Sequence, residues 1–159
     1  MLAQFATPEQ QAEIKAWFDA WSDHVAAVDF AAARPLFHPD VVGFGTYMDY
    51  VHGLDALEQQ QWRSIWGTIA DFRFATERLL CGVSARGALG AGHDGLQAWG
   101  VTPWTSTGFH ADGSPYERPG RATVIFVRAS PDAPWLAIHT HISLSPGTPQ
   151  RSHGRPPTG

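Results

Sequence analysis

Apolar residues recur at spacings of three and four between residues 14 and 28, a pattern that predicts an amphipathic helix. Thr7, Pro8 and Gln10 supply an N-cap, a first helical position and a capping-box residue, so the helix should begin there. The apolar face is strongly aromatic and must pack against a large surface. It consists of Ile14, Trp17, Phe18, Trp21, Val25 and Val28.

Further along the chain the pattern changes from helical spacing to alternation. Asp29 can cap a short helical piece that runs through Phe37, and a second helix is predicted over residues 53–69. The remaining segments favour strands: 41–47, 49–53, 71–83, 96–109, 117–129 and 135–144. Asp-Gly pairs in "AGHDG" and "HADGSP" predict tight reversals, so the last four strands should be sequential and antiparallel. Helices followed by strands indicate an α+β domain with a curved antiparallel sheet.

Size and composition narrow the classes of partner. A chain of 159 residues that is 43% hydrophobic and 12% aromatic suits one globular domain, here residues 1–146 followed by a flexible polar tail, 147–159. A net charge of -4 without a basic stripe argues against nucleic acid and anionic membranes as partners. Cys81 stands alone, so no internal disulfide is expected, and no apolar run reaches the roughly 20 residues of a membrane span. We expect a cytoplasmic protein without a cofactor.

Four segments, taken in order, carry a family resemblance: "LFHPDVVGFGT", "VHGLDAL", "GRATVIFVR" and "WLAIHTHISLSPG". Over about residues 10 to 146 the chain resembles the SnoaL-like branch of the superfamily that includes nuclear transport factor 2 and ketosteroid isomerase. The resemblance implies a cone-shaped barrel in which a bent sheet wraps a long helix, a pocket between them, and dimers formed through the outer sheet face. Because this fold hosts cyclases, isomerases, dehydratases and non-catalytic assembly domains, function has to be argued from the site.

The two histidines of "WLAIHTHISL" are the first candidate residues. Strict alternation places Leu136 and Thr140 on the concave face, and Trp135, His139 and His141 on the outer face, where the resemblance implies a subunit partner. Two alternatives stay open: the histidines line the pocket, or they bind a metal. Zinc needs three or four ligands, the sequence shows no third one, and no metal is predicted.

The resemblance also implies which residues line the pocket. It favours Arg121 and Thr123 as inward-facing, with Trp104 and Ser106 beside them, so that the hydroxyls of Ser106, Thr123 and Thr140 would form a donor-rich wall. Arg121 would suit a carboxylate or a polarised carbonyl, unless it pairs with an acid at the barrel rim. Tryptophans from the helices would offer a flat apolar surface to a ring-bearing ligand, unless they are simply core. They are Trp17, Trp21, Trp62 and Trp66.

Acid–base chemistry is the last candidate feature. The catalytic positions of ketosteroid isomerase fall on Trp21, Gly45 and Ile125, which cannot perform its reaction. Asp49, beside Tyr47 in a predicted turn, and His110, in a later loop, remain as groups that could move a proton, with Arg121 as a polarising cation.

Two functions follow from these residues. The first is a cofactor-free cyclase, isomerase or dehydratase that acts on an apolar carbonyl compound. The second is a non-catalytic ligand-binding or dimeric assembly domain. Both predict a small apolar or aromatic ligand and a homodimer.

Overall fold

A computed structural model describes residues 4–84 and 96–157. Helix α1 spans Pro8–Ala27 and begins with the predicted capping box: Thr7 Oγ1 accepts from the Gln10 backbone at 3.3 Å, and Gln10 Oε1 accepts from the Thr7 backbone at 3.0 Å. Val28 ends the helix in the left-handed conformation, with φ 55°. The first predicted helix is therefore confirmed.

Two further helical regions follow α1. Helix α2, Phe30–Ala33, runs into a 3₁₀ turn, Arg34–Leu36, as the sequence predicts. The second region, residues 54–68, is the second helical segment. Its position agrees with the helix predicted over residues 53–69. Its interior contains a π turn that the sequence did not indicate. It consists of α3 Leu54–Leu57, the π turn Glu58–Trp62, α4 Arg63–Ile65 and a 3₁₀ turn Trp66–Thr68; another 3₁₀ turn, Thr76–Arg78, lies further along.

The described strands form one open, curved sheet. In chain order they are β1 Gln4–Phe5, β2 Phe37–Phe44, β3 Tyr50–His52, β4 Ala70–Phe74, β5 Leu80–Val83, β6 Leu96–Phe109, β7 Pro115–Arg128 and β8 Leu136–Leu144. The order across the sheet is β1-β5-β6-β7-β8-β2-β3, and β4 also pairs with β6. Strands β5 to β8 are sequential and antiparallel, as predicted. The predicted single strand 71–83 is divided by the 3₁₀ turn Thr76–Arg78 into β4 and β5, which both pair with β6. Strand β2 runs parallel to β8, so the sheet is mixed. The α+β prediction is confirmed; the predicted turn "AGHDG" lies outside the described residues.

Strand β7 turns the opposite face inward from the one predicted. Val124 and Phe126 are fully buried, and the Phe126 ring lies 4.9 Å from that of Trp17 on α1. Arg121 and Thr123 are exposed on the outer face. The prediction that these two residues face the pocket is therefore wrong, because burying valine and phenylalanine against the helix outweighs placing an arginine there.

A β-bulge in β8 breaks the alternation on which the histidine prediction depended. Ile125 pairs with His139 and Phe126 with Ala137, so Ile138 is the extra residue. Trp135 and Ala137 are consequently buried, and Trp135 is only 6% exposed. The placement of Trp135 on the outer face is therefore wrong.

The two histidines themselves lie on the predicted side of the sheet. His139 stands opposite Ile125 and His141 opposite Thr123, on the face that points away from α1. The Phe44 ring of the neighbouring strand β2 contacts both, with centroids 6.2 Å from His139 and 5.2 Å from His141. Their outer position is thus confirmed.

The C-terminal segment folds back onto the domain. Ser152 is buried: its hydroxyl donates to the Thr68 carbonyl at 2.7 Å and accepts from the Phe109 backbone at 2.9 Å. Tyr116 donates to the Arg151 carbonyl at 3.0 Å. Within the segment predicted to be a flexible polar tail, Ser152 is nevertheless buried, because its hydroxyl satisfies backbone groups at the ends of two elements.

Candidate functional site

A cleft opens between α1, the second helical segment and the inner face of the sheet. The cavity has a volume of about 60 Å³, and about 510 Å³ of atom-free space when its open mouth is included. The closed part is smaller than the roughly 150 Å³ cavity that admits benzene, so a ring must use the mouth or widen the cleft. Its aromatic lining residues are Trp21, Trp62, Trp66, Phe72 and Trp104; the polar ones are Thr46, Gln61, Arg118 and Thr140.

The aromatic wall of the cleft is built from α1, the second helical segment and the sheet. Trp62 and Trp66 stack with centroids 4.8 Å apart and an interplanar angle of 19°. Phe72 of β4 lies 5.4 Å from the Trp104 ring of β6 on another side. Flat surfaces that enclose a narrow cleft favour planar, apolar ligand groups.

The π turn sets the polar edge of the cleft. It turns Gln61 inward, where Nε2 donates to the Gly43 carbonyl at 2.6 Å. A Cβ at Gly43 would lie 2.6 Å from Leu57 Cδ1 and 2.8 Å from Thr140 Oγ1. Glycine at position 43 therefore lets the helical segment approach β2 closely, and Gln61 fixes that approach.

Arg118 brings a positive charge into the cleft. The residue is 1% exposed, its Nη2 donates to Thr46 Oγ1 at 2.9 Å, and its Cζ lies 5.4 Å from the centroid of Trp104. Burial lowers the pKa of Arg118, and the phenols of Tyr116 and Tyr47 act in the opposite direction. Within residues 4–84 and 96–157, Arg118 forms no ion pair with a carboxylate.

Two residues that line the cleft carry buried donors without a protein acceptor. Trp21 Nε1 and Arg118 Nε are both buried and make no hydrogen bond within the described part of the chain. Leaving a buried donor unpaired costs roughly 1–3 kcal/mol, so such atoms are uncommon in folded proteins. Their presence on one cleft suits a ligand that carries hydrogen-bond acceptors.

The structure brings half of the predicted ligand-binding residues to this cleft. Trp21, Trp62, Trp66, Trp104 and Thr140 line it. Their role in binding stays a prediction, but their position supports it.

The other predicted ligand-binding residues lie elsewhere. Trp17 is buried in the core, where its Nε1 donates to the Leu36 carbonyl at 2.9 Å. Ser106 is buried and donates to the Arg118 carbonyl at 3.5 Å, outside the cleft lining. Tyr47 is 46% exposed, and its hydroxyl donates to the Ser64 carbonyl at 3.5 Å. Thr123 lies on the outer face, so the predicted donor-rich wall of Ser106, Thr123 and Thr140 does not form.

The three predicted catalytic residues are not brought together. Asp49 is exposed in the β2–β3 turn and accepts from the Tyr50 backbone; His110 is exposed at the β6–β7 turn, with its ring 4.5 Å from Tyr116. Arg121 lies on the outer face of β7. None of the three lines the cleft, so the structure offers no geometry in which they act on one ligand.

Arg118 is the cleft residue that the sequence interpretation missed. It lies an even number of positions before Val124 and Phe126 and so shares their face of β7. Treating the most apolar face of β7 as the inner one would have identified it. Among the described residues, no group of three or more His, Cys, Asp and Glu is arranged to hold a metal ion, and no helix is long and apolar enough to cross a membrane.

Comparison with known families identifies the domain. Residues 14–146 match the family of SnoaL-like domains. The chain belongs to that family. The SnoaL-like match begins within α1 and covers α2, the second helical segment and β2 to β8, so it includes every described residue that lines the cleft. No curated protein sequence matches the chain.

Solved structures share the SnoaL-like fold at low sequence identity. A cystatin-like protein of unknown function from Nostoc punctiforme has a TM-score of 0.67 at 12% identity, over 94% of this chain and 100% of that one. A protein of Streptomyces avermitilis assigned as a dehydratase of the nuclear transport factor 2-like family has a TM-score of 0.60 at 18% identity, over 89% and 100%. An assigned calcium/calmodulin dependent protein kinase II association domain from Xanthomonas campestris gives 0.57 at 20% identity, over 92% and 97%. At these identities the likeness establishes the fold.

Proposed function

We propose that this SnoaL-like domain binds a small, ring-bearing molecule that carries a hydrogen-bond acceptor. The observation that carries the proposal is the buried, unpaired Nε1 of Trp21 on a cleft with aromatic walls. Once the cleft has widened to admit the ring, a carbonyl oxygen of the ligand would satisfy that donor, while the ring would pack against Trp62, Trp66 and Trp104.

The lining residues favour binding over proton-transfer catalysis. The described lining contains no carboxylate, imidazole, thiol, phenol or amine. Arginine keeps its proton, so Arg118 can polarise an oxygen but cannot act as a general base. Ligand binding without turnover is therefore the function that the cleft supports best.

A cyclase, isomerase or dehydratase remains the second candidate. Its specific support is that Arg118 and Trp21 could both donate to an enolate oxygen, a way to stabilise developing negative charge. The Streptomyces avermitilis relative assigned as a dehydratase has the same fold. This candidate requires a base that the described lining does not supply.

A matched pair of ligands tests the binding proposal. Acetophenone and ethylbenzene have nearly the same shape, but only acetophenone has a carbonyl acceptor. We expect ligand-observed NMR to show tighter binding of acetophenone to the wild-type protein. Trp21→Phe, which keeps a ring and removes the donor, should reduce that preference.

Trp99→Phe is the matched control, because Trp99 is half-buried on the outer face. It should leave the acetophenone preference unchanged. Binding of neither compound, or an equal loss in both variants, would contradict the proposal. If the wild-type protein consumes an enolisable ketone and the Arg118→Met variant does not, the result would favour the cyclase, isomerase or dehydratase candidate instead.

We also propose that the domain forms a homodimer through the outer sheet face. Phe5 is 70% exposed and Leu80 50%, and the Phe5 ring lies 6.4 Å from that of Trp99, so apolar surface is continuous across β1, β5 and β6. His139 and His141 lie on the same face, whereas Trp135 does not. A relative assigned as an association domain shares the fold.

Sedimentation of the purified protein at micromolar concentration tests this interface. We expect a dimer for the wild-type protein and a monomer for Leu80→Glu, because a buried unpaired carboxylate opposes association. Glu77→Ala, an exposed position on the turn before β5, should stay dimeric. A wild-type monomer would contradict the dimer.

A further inference from the structure

Arg118 differs from the other buried arginine of the described chain. Arg118 is 1% exposed and Arg128 is 8% exposed. The Nη1 of Arg128 donates to the Glu13 carboxylate at 3.0 Å, so its charge has a counter-ion. Arg118 has the hydroxyl of Thr46, the ring of Trp104 and the phenol of Tyr116 as neighbours instead, and none of them is a carboxylate.

A buried charge without a counter-ion is costly to the folded protein. Thr46, Trp104 and the Tyr116 phenol offset part of that cost, but none of them is a carboxylate counter-ion. Among the described residues, the other side chains that line the cleft are uncharged as well. Within that part of the chain the cleft therefore holds one positive charge in mainly apolar surroundings, the setting in which an incoming anion gains most.

We propose that the ligand of the cleft is an organic anion, with a carboxylate or a similar oxyanion that pairs with Arg118 and an apolar ring that fills the aromatic part. This inference rests on the proposed function and adds the charge of the ligand to it.

The surroundings of Arg118 fix the guanidinium for such a partner. The hydrogen bond to Thr46 and the contact with Trp104 hold its plane, and Nε stays unpaired. Trp104 can lie this close to β7 because residue 120 is glycine: a Cβ there would come within 2.2 Å of the indole. A planar guanidinium with a free donor suits the two oxygens of a carboxylate.

The first experiment compares phenylacetate with phenylacetamide, which has the same shape but no charge. Binding is followed by isothermal titration calorimetry at constant ionic strength. We expect phenylacetate to bind the wild-type protein about tenfold more tightly or better, as a charged hydrogen-bonded pair implies. Acetate and inorganic phosphate, which lack the ring, should bind at least about tenfold more weakly than phenylacetate.

The second experiment uses Arg118→Met, which keeps the length of the side chain and removes its charge. We expect it to lose the preference for the anion and to melt at the same temperature as the free wild-type protein or higher, because an unpaired buried charge has gone. Arg118→Lys should keep part of the preference. Arg121→Met, on the exposed face of the same strand, is the matched control and should behave like wild type.

The outcomes separate this inference from the function on which it rests. Equal binding of phenylacetate and phenylacetamide would contradict the proposal that the ligand is an anion, but it would leave the proposed binding of a ring in the aromatic cleft intact. Binding of neither compound would remove the proposed function as well. Equal binding of phosphate and phenylacetate would contradict the proposal that the ligand carries an apolar ring. A free Arg118→Met protein that melts well below wild type would show that Arg118 serves the fold, and would also overturn the inference.

Discussion

Trp135 donates a hydrogen bond from Nε1 to Oε2 of Glu13 at 2.9 Å, which ties the residue before β8 to helix α1. Arg128 donates to the same carboxylate oxygen at 3.0 Å, and its Cζ lies 4.2 Å from the Trp135 ring centroid. One carboxylate thus serves two buried side chains, one at the end of β7 and one just before β8. This cluster explains why a tryptophan with a polar atom can be buried at this position.

Removal of this carboxylate should destabilise the fold. Glu13→Ala leaves the Arg128 charge and the Trp135 donor without their acceptor. We expect a loss of about 1–3 kcal/mol in the free energy of unfolding, less than for a fully buried pair because the Glu13 side chain is 50% exposed. Urea denaturation measures it. Asp23→Ala, an exposed acid on the same helix, is the control; equal effects would contradict a specific role for Glu13.

The docked C-terminal segment provides a second prediction. Ser152→Ala removes the acceptor of the Phe109 amide and the donor to the Thr68 carbonyl. We expect a loss of about 1–3 kcal/mol and faster hydrogen exchange of the Phe109 amide, since both backbone groups lose a buried partner. Gln150→Ala, an exposed neighbour, should change neither. An unchanged exchange rate at Phe109 would show that the segment does not dock in solution.

Glu58 predicts how stability changes in acid. It accepts from Arg34 Nη1 at 2.6 Å and from Arg63 Nε at 3.0 Å, and these hydrogen bonds, the one from Arg34 first, hold the pKa of Glu58 below its ordinary value of 4.5. The unfolded chain then takes up the proton at higher pH than the folded one. The contribution of Glu58 is therefore complete above about pH 4.5 and is lost as the pH falls through the folded pKa.

Glu58→Gln checks this dependence. We expect the variant to be roughly 1–3 kcal/mol less stable at pH 7 and to lose less further stability on acidification than wild type does. Denaturant titrations at a series of pH values between about 7 and 3 measure both effects. Glu77→Gln, an exposed acid, should follow the wild-type curve. A parallel fall in Glu58→Gln would mean that other groups cause the acid dependence.

Much of the fold could be predicted because local signals agreed with the tertiary structure. The capping box at Thr7, the aromatic stripe of α1 and the long alternating strands each satisfy their own backbone and bury one face. The bulge at Ile138 carried no such signal, since an extra residue between two pairs leaves the composition of a strand unchanged. Trp135 was placed on the wrong side for that reason.

The site was harder to predict than the fold. Trp21, Trp62, Trp66 and Trp104 are recognisable as large apolar residues, but their convergence on one cleft depends on how the second helical segment crosses the sheet. Arg118 was missed because a lone charged residue in a strand is normally placed in solvent. Its burial follows from the phase of β7, which Val124 and Phe126 fix from several residues away.

His139 allows a test of the outer face by pH. Desolvation, and to a smaller extent the neighbouring His141, lowers the pKa of His139 below its ordinary value of 6.5, while the Val42 backbone carbonyl acts in the opposite direction. Across the sheet it faces Ile125 of β7, which offers no countercharge. Below about pH 6.5 the unfolded state therefore binds more protons than the folded state, and stability falls as the pH falls from 6.5 to the folded pKa.

His139→Gln should remove this contribution. Between pH 7.5 and pH 5.5 we expect the free energy of unfolding to fall less in the variant than in wild type, whereas His110→Gln should fall as wild type does, because it retains His139. Urea denaturation at two protein concentrations adds information on the partner. If a second subunit covers the outer face, protonation of His139 should also weaken the dimer, so the difference between the two concentrations should shrink in acid for wild type and persist for His139→Gln. An identical pH dependence in all three proteins would show that His139 is as solvated in the folded protein as in the unfolded chain.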